Sequence, residues 1–292
     1  SIIAIALVAA TGVTNPDSTK GAINDALSGF SNNLIWLIGI SIMVSMSLNK
    51  TGLGARIGYY FISLFGKKTI GIAYSLAIAE TILAPVTPSN TARGGGIIHP
   101  IMRSIADSFN SKPEEGTSGK IGRYLSLVNY NINPITSAMF ITATAPNPLI
   151  VSLIIGETGP ENELTWSMWA IAAFVPAIVS LFLMPIVIYF LYKPEITHTP
   201  NAPHFAKERL AQLGPISLPE KITLGVFALL LIMWAGIPAL LFGDAFSINA
   251  TTAAFIGLSI LLCTGVLNWD DILKNKGAWD TVVWFSALVM MA

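Results

Sequence analysis

The chain has 292 residues, of which 53% are apolar and only 11% are charged, whereas an ordinary soluble domain carries about 25% charged residues. Residues 26–49, 124–156 and 164–192 contain no Asp, Glu, Lys or Arg, and about 20 such residues suffice for a membrane-spanning helix. This composition excludes a soluble or disordered protein and predicts an all-α polytopic protein of the lipid bilayer. The zero net charge argues against nucleic acid as a partner, and the single cysteine, Cys263, excludes a disulfide framework.

Apolar segments follow one another along the chain, at residues 1–13, 34–48, 69–86, 91–109, 124–155, 166–191, 222–242, 248–267 and 279–292. The first and the last are short and lie at the chain ends. We therefore expect a fragment of a longer membrane protein.

Basic residues indicate the orientation of these segments, because cytoplasmic loops carry an excess of Lys and Arg. If both ends of 69–109 face the cytoplasm, all the basic residues except Lys20 and Arg93 lie on that side. Lys20 then faces outward and Arg93 lies at membrane depth. The cytoplasmic set is Lys50, Arg56, Lys67, Lys68, Arg103, Lys112, Lys120, Arg123, Lys193, Lys207, Arg209, Lys221, Lys274 and Lys276.

Segment 69–109 is interrupted by Pro85–Thr91, and three glycines follow at 94–96. Two complete spans joined by an external loop would satisfy the same orientation. However, proline and glycine leave backbone groups without helical partners, and such backbone survives at membrane depth only where protein or a cavity surrounds it. The sequence therefore predicts a re-entrant hairpin.

Segment 124–155 is too long for one straight span and contains Pro134, Pro146 and Pro148. These residues predict a second broken helix, with Thr144 and Asn147 beside its break. Two broken helices that point at a common site are a typical arrangement in secondary transporters.

Residues 32–43 resemble residues 280–291 in their aligned Trp36 and Trp284 and in their apolar pattern. In the predicted topology the first copy begins outside and the second begins inside. Opposite directions are the signature of an inverted repeat, so we expect a second repeat to begin near the end of the chain.

Polar side chains concentrate at the two breaks, where a small ligand would find hydroxyls, amides and free backbone N–H groups. The positive end of a helix attracts carboxylates, which makes these side chains candidates for substrate binding. The alternative is that they only cap helices and relieve proline kinks. The candidates are Ser89, Asn90, Thr91, Thr144, Pro146 and Asn147.

Arg93 is the most informative single residue, because a central membrane arginine costs about 3 kcal/mol on insertion scales. Its forked guanidinium suits a carboxylate ligand. The alternative is an ion pair with Glu80 in the same hairpin. His99 lies six residues beyond Arg93 and is either a packed histidine or a proton carrier.

The run from Ala84 to Ile98 contains Ser-Asn-Thr at 89–91, then Arg93 and three glycines, and Pro100 follows. This block resembles the signature of the divalent anion:sodium symporter family, which contains di- and tricarboxylate transporters. The later Thr144-Ala-Pro-Asn is similar to the family's second broken-helix motif. The likeness is greatest to the branch of bacterial citrate/succinate antiporters and plastid 2-oxoglutarate/malate translocators.

The resemblance implies an inverted-repeat, elevator-type carrier that works as a homodimer in the bacterial inner membrane, with no enzyme activity. It implies scaffold helices at 1–65 and 222–292, a transport region at 66–192 and a cytoplasmic loop at 193–221. Ser89, Asn90 and Thr91 would bind a substrate carboxylate. A second Ser-Asn-Thr hairpin would follow Ala292.

The chain departs from the sodium-coupled members of that family. They resemble one another in a hydroxyl residue one turn before Ser-Asn-Thr, where this chain has Pro85, and in glycines where it has Thr144 and Ala145. We therefore predict exchange of one carboxylate for another, with no cofactor and with Arg93 supplying the charge of sodium. A weaker set remains for a sodium ion, namely Ser89, Asn90, Thr142 and Ala145.

Three alternatives stay open. Sodium- or proton-coupled symport would use Glu80 or His99 as the coupling group. A membrane enzyme would need a nucleophile–base pair or a metal cluster, and the sequence has no such pattern. A channel would need a continuous polar path, whereas polar residues gather here at two breaks.

Overall fold

The computed structural model describes residues 1–159, 162 and 164–291. Within these residues the chain is α-helical, with short 3₁₀ segments and no strand beyond a single bridge between Lys68 and His198. This confirms the predicted all-α class. The α-helices are α1 (Ile2–Thr11), α2 (Thr19–Leu27), α3 (Asn33–Thr51), α4 (Leu53–Phe65), α5 (Thr69–Leu83), α6 (His99–Ser108), α7 (Gly122–Met139), α8 (Pro146–Thr158), α9 (Trp166–Leu191), α10 (Ala202–Leu213), α11 (Leu218–Trp234), α12 (Ile237–Phe242), α13 (Ala250–Cys263), α14 (Trp269–Lys274) and α15 (Lys276–Met291).

Three helices in the described residues are long and apolar enough to cross a membrane, and the bent pair α10–α11 is a fourth candidate. The three are Asn33–Thr51, Thr69–Val86 and Trp166–Leu191. Helix α9 has the same bounds as the predicted segment 166–191. Most of its surface faces outward as large apolar side chains, as expected for a helix that contacts lipid.

Both ends of the predicted hairpin lie at the same end of the molecule, where one extended segment, Glu195–Thr199, bonds to both. At the start of α5, Thr69 Oγ1 donates to the Ile196 carbonyl at 2.6 Å. The Ile196 amide donates in turn to the carbonyl of Lys120 at 3.0 Å, in the loop that follows α6. This geometry fits the re-entrant hairpin and equally the two complete spans considered above, so the hairpin stays a prediction.

Ion pairs join the other predicted cytoplasmic loops. Lys50 Nζ lies 2.6 Å from Asp271 Oδ2, and Arg56 Nε lies 2.6 Å from Glu220 Oε1. The hydrogen bond from Lys50 lowers the pKa of the Asp271 carboxyl below its usual range. These contacts gather basic loops that are distant in sequence, in agreement with the orientation predicted from their charge.

The structure corrects the sequence analysis in three places. The predicted loop 193–221 contains the twelve-residue helix α10, which packs on α4 and is bent by 106° from α11. Helix α4 itself was not among the predicted segments. The predicted segment 222–242 is interrupted after Trp234, where Gly236 adopts a φ of 72° that favours glycine.

The two segments that resemble each other in sequence, 32–43 and 280–291, lie on α3 and α15, and these helices pack against each other in opposite directions. Asn275 Nδ2 contacts Met46 Sδ at 2.7 Å near one end of the pair. Farther along, Gly39 packs so closely on Val282 that an added Cβ would collide with it. From the first contact to the second, residue numbers decrease along α3 and increase along α15. The two helices are therefore antiparallel, as the predicted topology requires.

We expect Thr199→Val to destabilise the fold, because the buried Thr199 hydroxyl donates to the Gly66 carbonyl at 2.7 Å. Leaving a buried carbonyl without its donor costs about 1–2 kcal/mol. Thermal unfolding in detergent checks the loss. Thr264→Val is the matched control, since the exposed Thr264 bonds only within its own helix. Equal melting temperatures for the two variants would contradict the role given to this segment.

Candidate functional site

The two helix breaks meet in the structure. The first break (Ala84–Asn90) follows α5, and the second break (Phe140–Ala145) separates α7 from α8. Thr142 Oγ1 donates to the Pro85 carbonyl at 2.5 Å. The first break is buried from Ala84 to Pro88, so its irregular backbone is surrounded by protein, as such backbone must be at membrane depth.

Arg93 joins both breaks through one side chain. Its Nη1 donates to the Thr87 carbonyl at 2.8 Å and to the Ala143 carbonyl at 3.0 Å. Its Nη2 donates to Ser137 Oγ at 2.7 Å and to Thr136 Oγ1 at 3.3 Å. These carbonyls lie where regular helix stops, so the guanidinium provides donors that the backbone no longer supplies.

Glu80 is the counter-ion of this guanidinium. Its Oε1 lies 3.5 Å from Arg93 Nε, and the two side chains are 1% and 0% exposed. The same Oε1 accepts from Asn133 Nδ2 at 2.5 Å and from Thr136 Oγ1 at 3.2 Å. A buried charge is tolerated when it is paired and hydrogen-bonded. The pair forms here and each side chain makes hydrogen bonds, while Glu80 Oε2 and Arg93 Nε are buried without a hydrogen-bond partner among the described residues.

In this structure Arg93 has partners within the protein, and its direct contact with a substrate stays a prediction. The Arg93 guanidinium is closed off from the surface, and the ion pair with Glu80, raised above as the alternative, is formed. Glu80 is likewise engaged with Arg93 and Asn133, so in this conformation it neutralises the hairpin.

Ser89, Asn90 and Thr91 lie at the start of the helix that follows the first break. This helix begins with a π-helical stretch, Thr91–Ile98, and continues as α6; π-helical turns occur frequently at functional sites. Ser89 Oγ accepts from the Ala92 amide at 3.2 Å, and Asn90 Oδ1 accepts from the Thr91 amide at 2.9 Å. Asn90 and Thr91 are nevertheless exposed, so capping leaves them accessible to a ligand.

At the second break the predicted residues divide into structural and accessible ones. Asn147 is buried and donates to the Ser137 and Phe140 carbonyls at 2.7 and 2.9 Å, which ties the start of α8 to the end of α7. Thr144 and Ala145 are half-buried and Pro146 is exposed. The capping alternative therefore describes Asn147, while Thr144 and Pro146 remain open to a ligand.

One member of the predicted sodium set, Thr142, already makes two hydrogen bonds. Its Oγ1 donates to the Pro85 carbonyl and accepts from Trp166 Nε1 at 3.0 Å, which leaves one lone pair of the oxygen for a further contact. The sodium set of Ser89, Asn90, Thr142 and Ala145 stays a prediction.

His99 lies apart from the Glu80–Arg93 pair. It is exposed on α6, nine residues beyond Asn90, and lines a separate cavity. The structure therefore does not bring together the two candidate coupling residues, His99 and Glu80.

Side chains of α7 outside the predicted site residues complete the cluster, namely Asn133, Thr136 and Ser137. Asn133 bonds to Glu80 and, at 3.0 Å, to the Asn90 carbonyl. Their spacing of three and four residues was the available signal, because it places polar groups on one face of an apolar helix.

We expect Glu80→Gln and Arg93→Gln each to destabilise the protein strongly, because removing one partner of a buried ion pair costs about 3–5 kcal/mol. The double variant should lose less than the sum of the two, since no charge is then left alone. Thermal unfolding of the four proteins in detergent gives this coupling. Additive losses, or a fully stable Arg93→Gln variant, would contradict the structural role of the pair.

Comparison with known proteins places this geometry in a family. The family described as "Sodium:sulfate symporter transmembrane region" matches residues 1–292. The putative malate transporter YflS of Bacillus subtilis (strain 168) is 51% identical over 292 residues, which are 100% of this chain and 58% of that protein. The chloroplastic dicarboxylate transporter 2.1 of Arabidopsis thaliana is 43% identical over 282 residues, which are 96% of this chain and 49% of that protein.

The inner membrane protein YbhI of Escherichia coli (strain K12) is 37% identical over 290 residues, covering 99% of this chain and 59% of that protein. The chain thus spans about half to three fifths of the length of these relatives. Because the family match covers every residue, this chain is an integral membrane protein that belongs to the sodium:sulfate symporter family of membrane transporters.

Proposed function

We propose that this chain forms part of the substrate site of a carrier for small dicarboxylates and tricarboxylates, such as malate, succinate, 2-oxoglutarate and citrate, in the bacterial inner membrane. The observation that carries the proposal is the junction of two breaks, each followed by the start of a helix. The names of the relatives in Bacillus subtilis and Arabidopsis thaliana support the dicarboxylate class.

The chemistry follows from the helix starts. The first turn of a helix has N–H groups without intrahelical acceptors and a partial positive charge, both of which favour a carboxylate. Ser89, Asn90 and Thr91 would contact one carboxylate, and Thr144 and Pro146 would border the same ligand from the second break. Asn147 and Arg93 would act by holding the two helix starts in place.

The Glu80–Arg93 pair removes one reason to expect obligatory exchange. An uncompensated Arg93 would have required substrate to neutralise it before crossing the membrane, but Glu80 already supplies that negative charge. We propose exchange on the remaining ground that a sodium site is poor here. Pro85 replaces a hydroxyl residue, and the Thr142 hydroxyl already makes two hydrogen bonds.

Cation-coupled symport is the second candidate. The description of the family as sodium symporters favours it, as does Glu80 Oε2, which is buried without a hydrogen-bond partner. The two candidates differ in whether uptake needs a cation.

For the whole carrier we propose an elevator mechanism in a homodimer, with residues 66–192 as the moving region, 193–221 as its cytoplasmic connection and 1–65 with 222–292 as scaffold. A cavity of about 870 Å³ supports this division. Its lining comes from residues 32–37 and 233–251 on the scaffold side and from residues 141–167 on the other.

We expect the full-length carrier, reconstituted in sodium-free vesicles loaded with malate, to take up labelled malate by counterflow. Asn90→Ala and Thr91→Val should lower this exchange at least about tenfold, as expected when a site loses a group that binds a charged ligand. Asn131→Ala is the matched control, because the Asn131 side chain bonds only within its own helix.

Counterflow that collapses without sodium would overturn exchange in favour of symport. An equal loss of exchange in the Asn131→Ala control would overturn the assignment of the substrate site. Full exchange activity of Asn90→Ala and Thr91→Val would overturn it as well. A wild-type carrier that moves no dicarboxylate under either condition would overturn the proposed function.

A further inference from the structure

A second cavity, of about 310 Å³, lies between α6 and α7 near the predicted cytoplasmic ends of these helices. Its lining includes the charged side chains Arg103, Asp107 and Arg123, together with His99 and Ser126 and with apolar residues such as Met102. We call it the α6–α7 groove. Its two arginines outnumber its one aspartate, so the lining itself carries a net positive charge, which Glu114 offsets where it pairs with Arg103.

The basic groups of this groove are weakly engaged within the described residues. Arg123 has no ion pair, and its guanidinium carbon lies 6.0 Å from the centre of the Tyr192 ring. Arg103 Nη2 lies 3.6 Å from Glu114 Oε1, with both side chains more than half exposed, and such a surface pair is worth little. By contrast, Arg56 is fixed by Glu220 and by two backbone carbonyls.

An exposed face leads from this groove to the first break. Thr91, Gly95, His99 and Arg103 follow one another at intervals of four residues, and each is exposed. Residues at this spacing lie near one another on one side of a helix. The stripe thus begins beside Asn90 and ends at the arginines.

The larger cavity offers no comparable charge. It reaches the second break at Thr142, yet every described residue that lines it is uncharged. An anion would therefore meet compensating positive charge on the α6–α7 side and none on the other.

We propose that the α6–α7 groove is a low-affinity anion site that captures the dicarboxylate on the cytoplasmic side before it moves to the breaks. This inference rests on the proposed function. The guanidinium of arginine can donate two parallel hydrogen bonds to one carboxylate. A cleft lined by positive charge also raises the local concentration of an anion. Arg103 and Arg123 act as recruiting residues, and Glu114 competes with substrate for Arg103.

The kinetic test uses the full-length carrier in vesicles, with malate varied separately on each side. We expect Arg103→Gln with Arg123→Gln to raise the cytoplasmic KM about tenfold, to leave kcat and the external KM unchanged, and to weaken the salt dependence of the cytoplasmic KM. Glu114→Gln should lower the cytoplasmic KM. Lys207→Gln, which removes an exposed cytoplasmic charge outside the groove, is the matched control.

Chemical footprinting of the wild-type carrier gives a second readout that does not depend on transport. We expect malate to slow the modification of Arg103 and Arg123 by phenylglyoxal severalfold, with Arg209 on α10 unaffected. Protection should persist in Asn90→Ala, because the groove lies outside the breaks.

The anion site would be overturned if malate changed the modification rates of all three arginines equally. It would also be overturned if the cytoplasmic KM of the double variant equalled that of Lys207→Gln. Equal increases in both KM values would also overturn it, because the effect would not be confined to the cytoplasmic side. Protection without any malate transport would uphold the anion site while refuting the proposed function.

Discussion

The buried ion pair between Glu80 and Arg93 is the interaction on which the rest of the site depends. Two interrupted helices bring unpaired carbonyls into the protein interior, and one guanidinium donates to carbonyls from both. Taking a guanidinium out of water costs several kcal/mol unless a counter-ion and hydrogen bonds compensate it. Glu80, Thr136 and Ser137 provide that compensation.

This pairing separates structural charge from ligand-binding charge. Arg93 and Glu80 together carry no net charge, so the ligand would be attracted by the helix starts at Asn90 and Pro146 and by accessible side chains beside them. The α6–α7 groove carries further positive charge, where Arg103 is paired only with the exposed Glu114 and Arg123 has no ion pair within the described residues. Organisation of the breaks, binding at the breaks and recruitment of the anion would thus be tasks of different residues.

Much of the fold could be predicted from the sequence, because apolar length and the placement of Lys and Arg are strong local signals. Segment 166–191 became α9 with the same bounds, and the break at Pro85 was visible from composition alone. Helix α10 was not predicted because its polar sequence resembles a loop. Helix α10 packs on α4, and a sequence pattern within a short window does not reveal such a tertiary contact.

The candidate site was only partly predictable for the same reason. The cost of a buried charge made Arg93 conspicuous, but the sequence could not decide between Glu80 and a ligand as its partner. That choice depends on how the hairpin folds back across its break. Asn133 was not assigned to the site because its partners, Glu80 and Asn90, lie 53 and 43 residues away in sequence. Only the packing of α7 against the hairpin brings them together.

The most direct test of this account is an experimental structure of the full-length carrier with malate bound. We predict that Arg93 Nε stays about 3.5 Å from Glu80 Oε1, as in this structure, and that malate contacts Asn90 and Thr91. A malate carboxylate bonded directly to the Arg93 guanidinium, with Glu80 displaced, would contradict it.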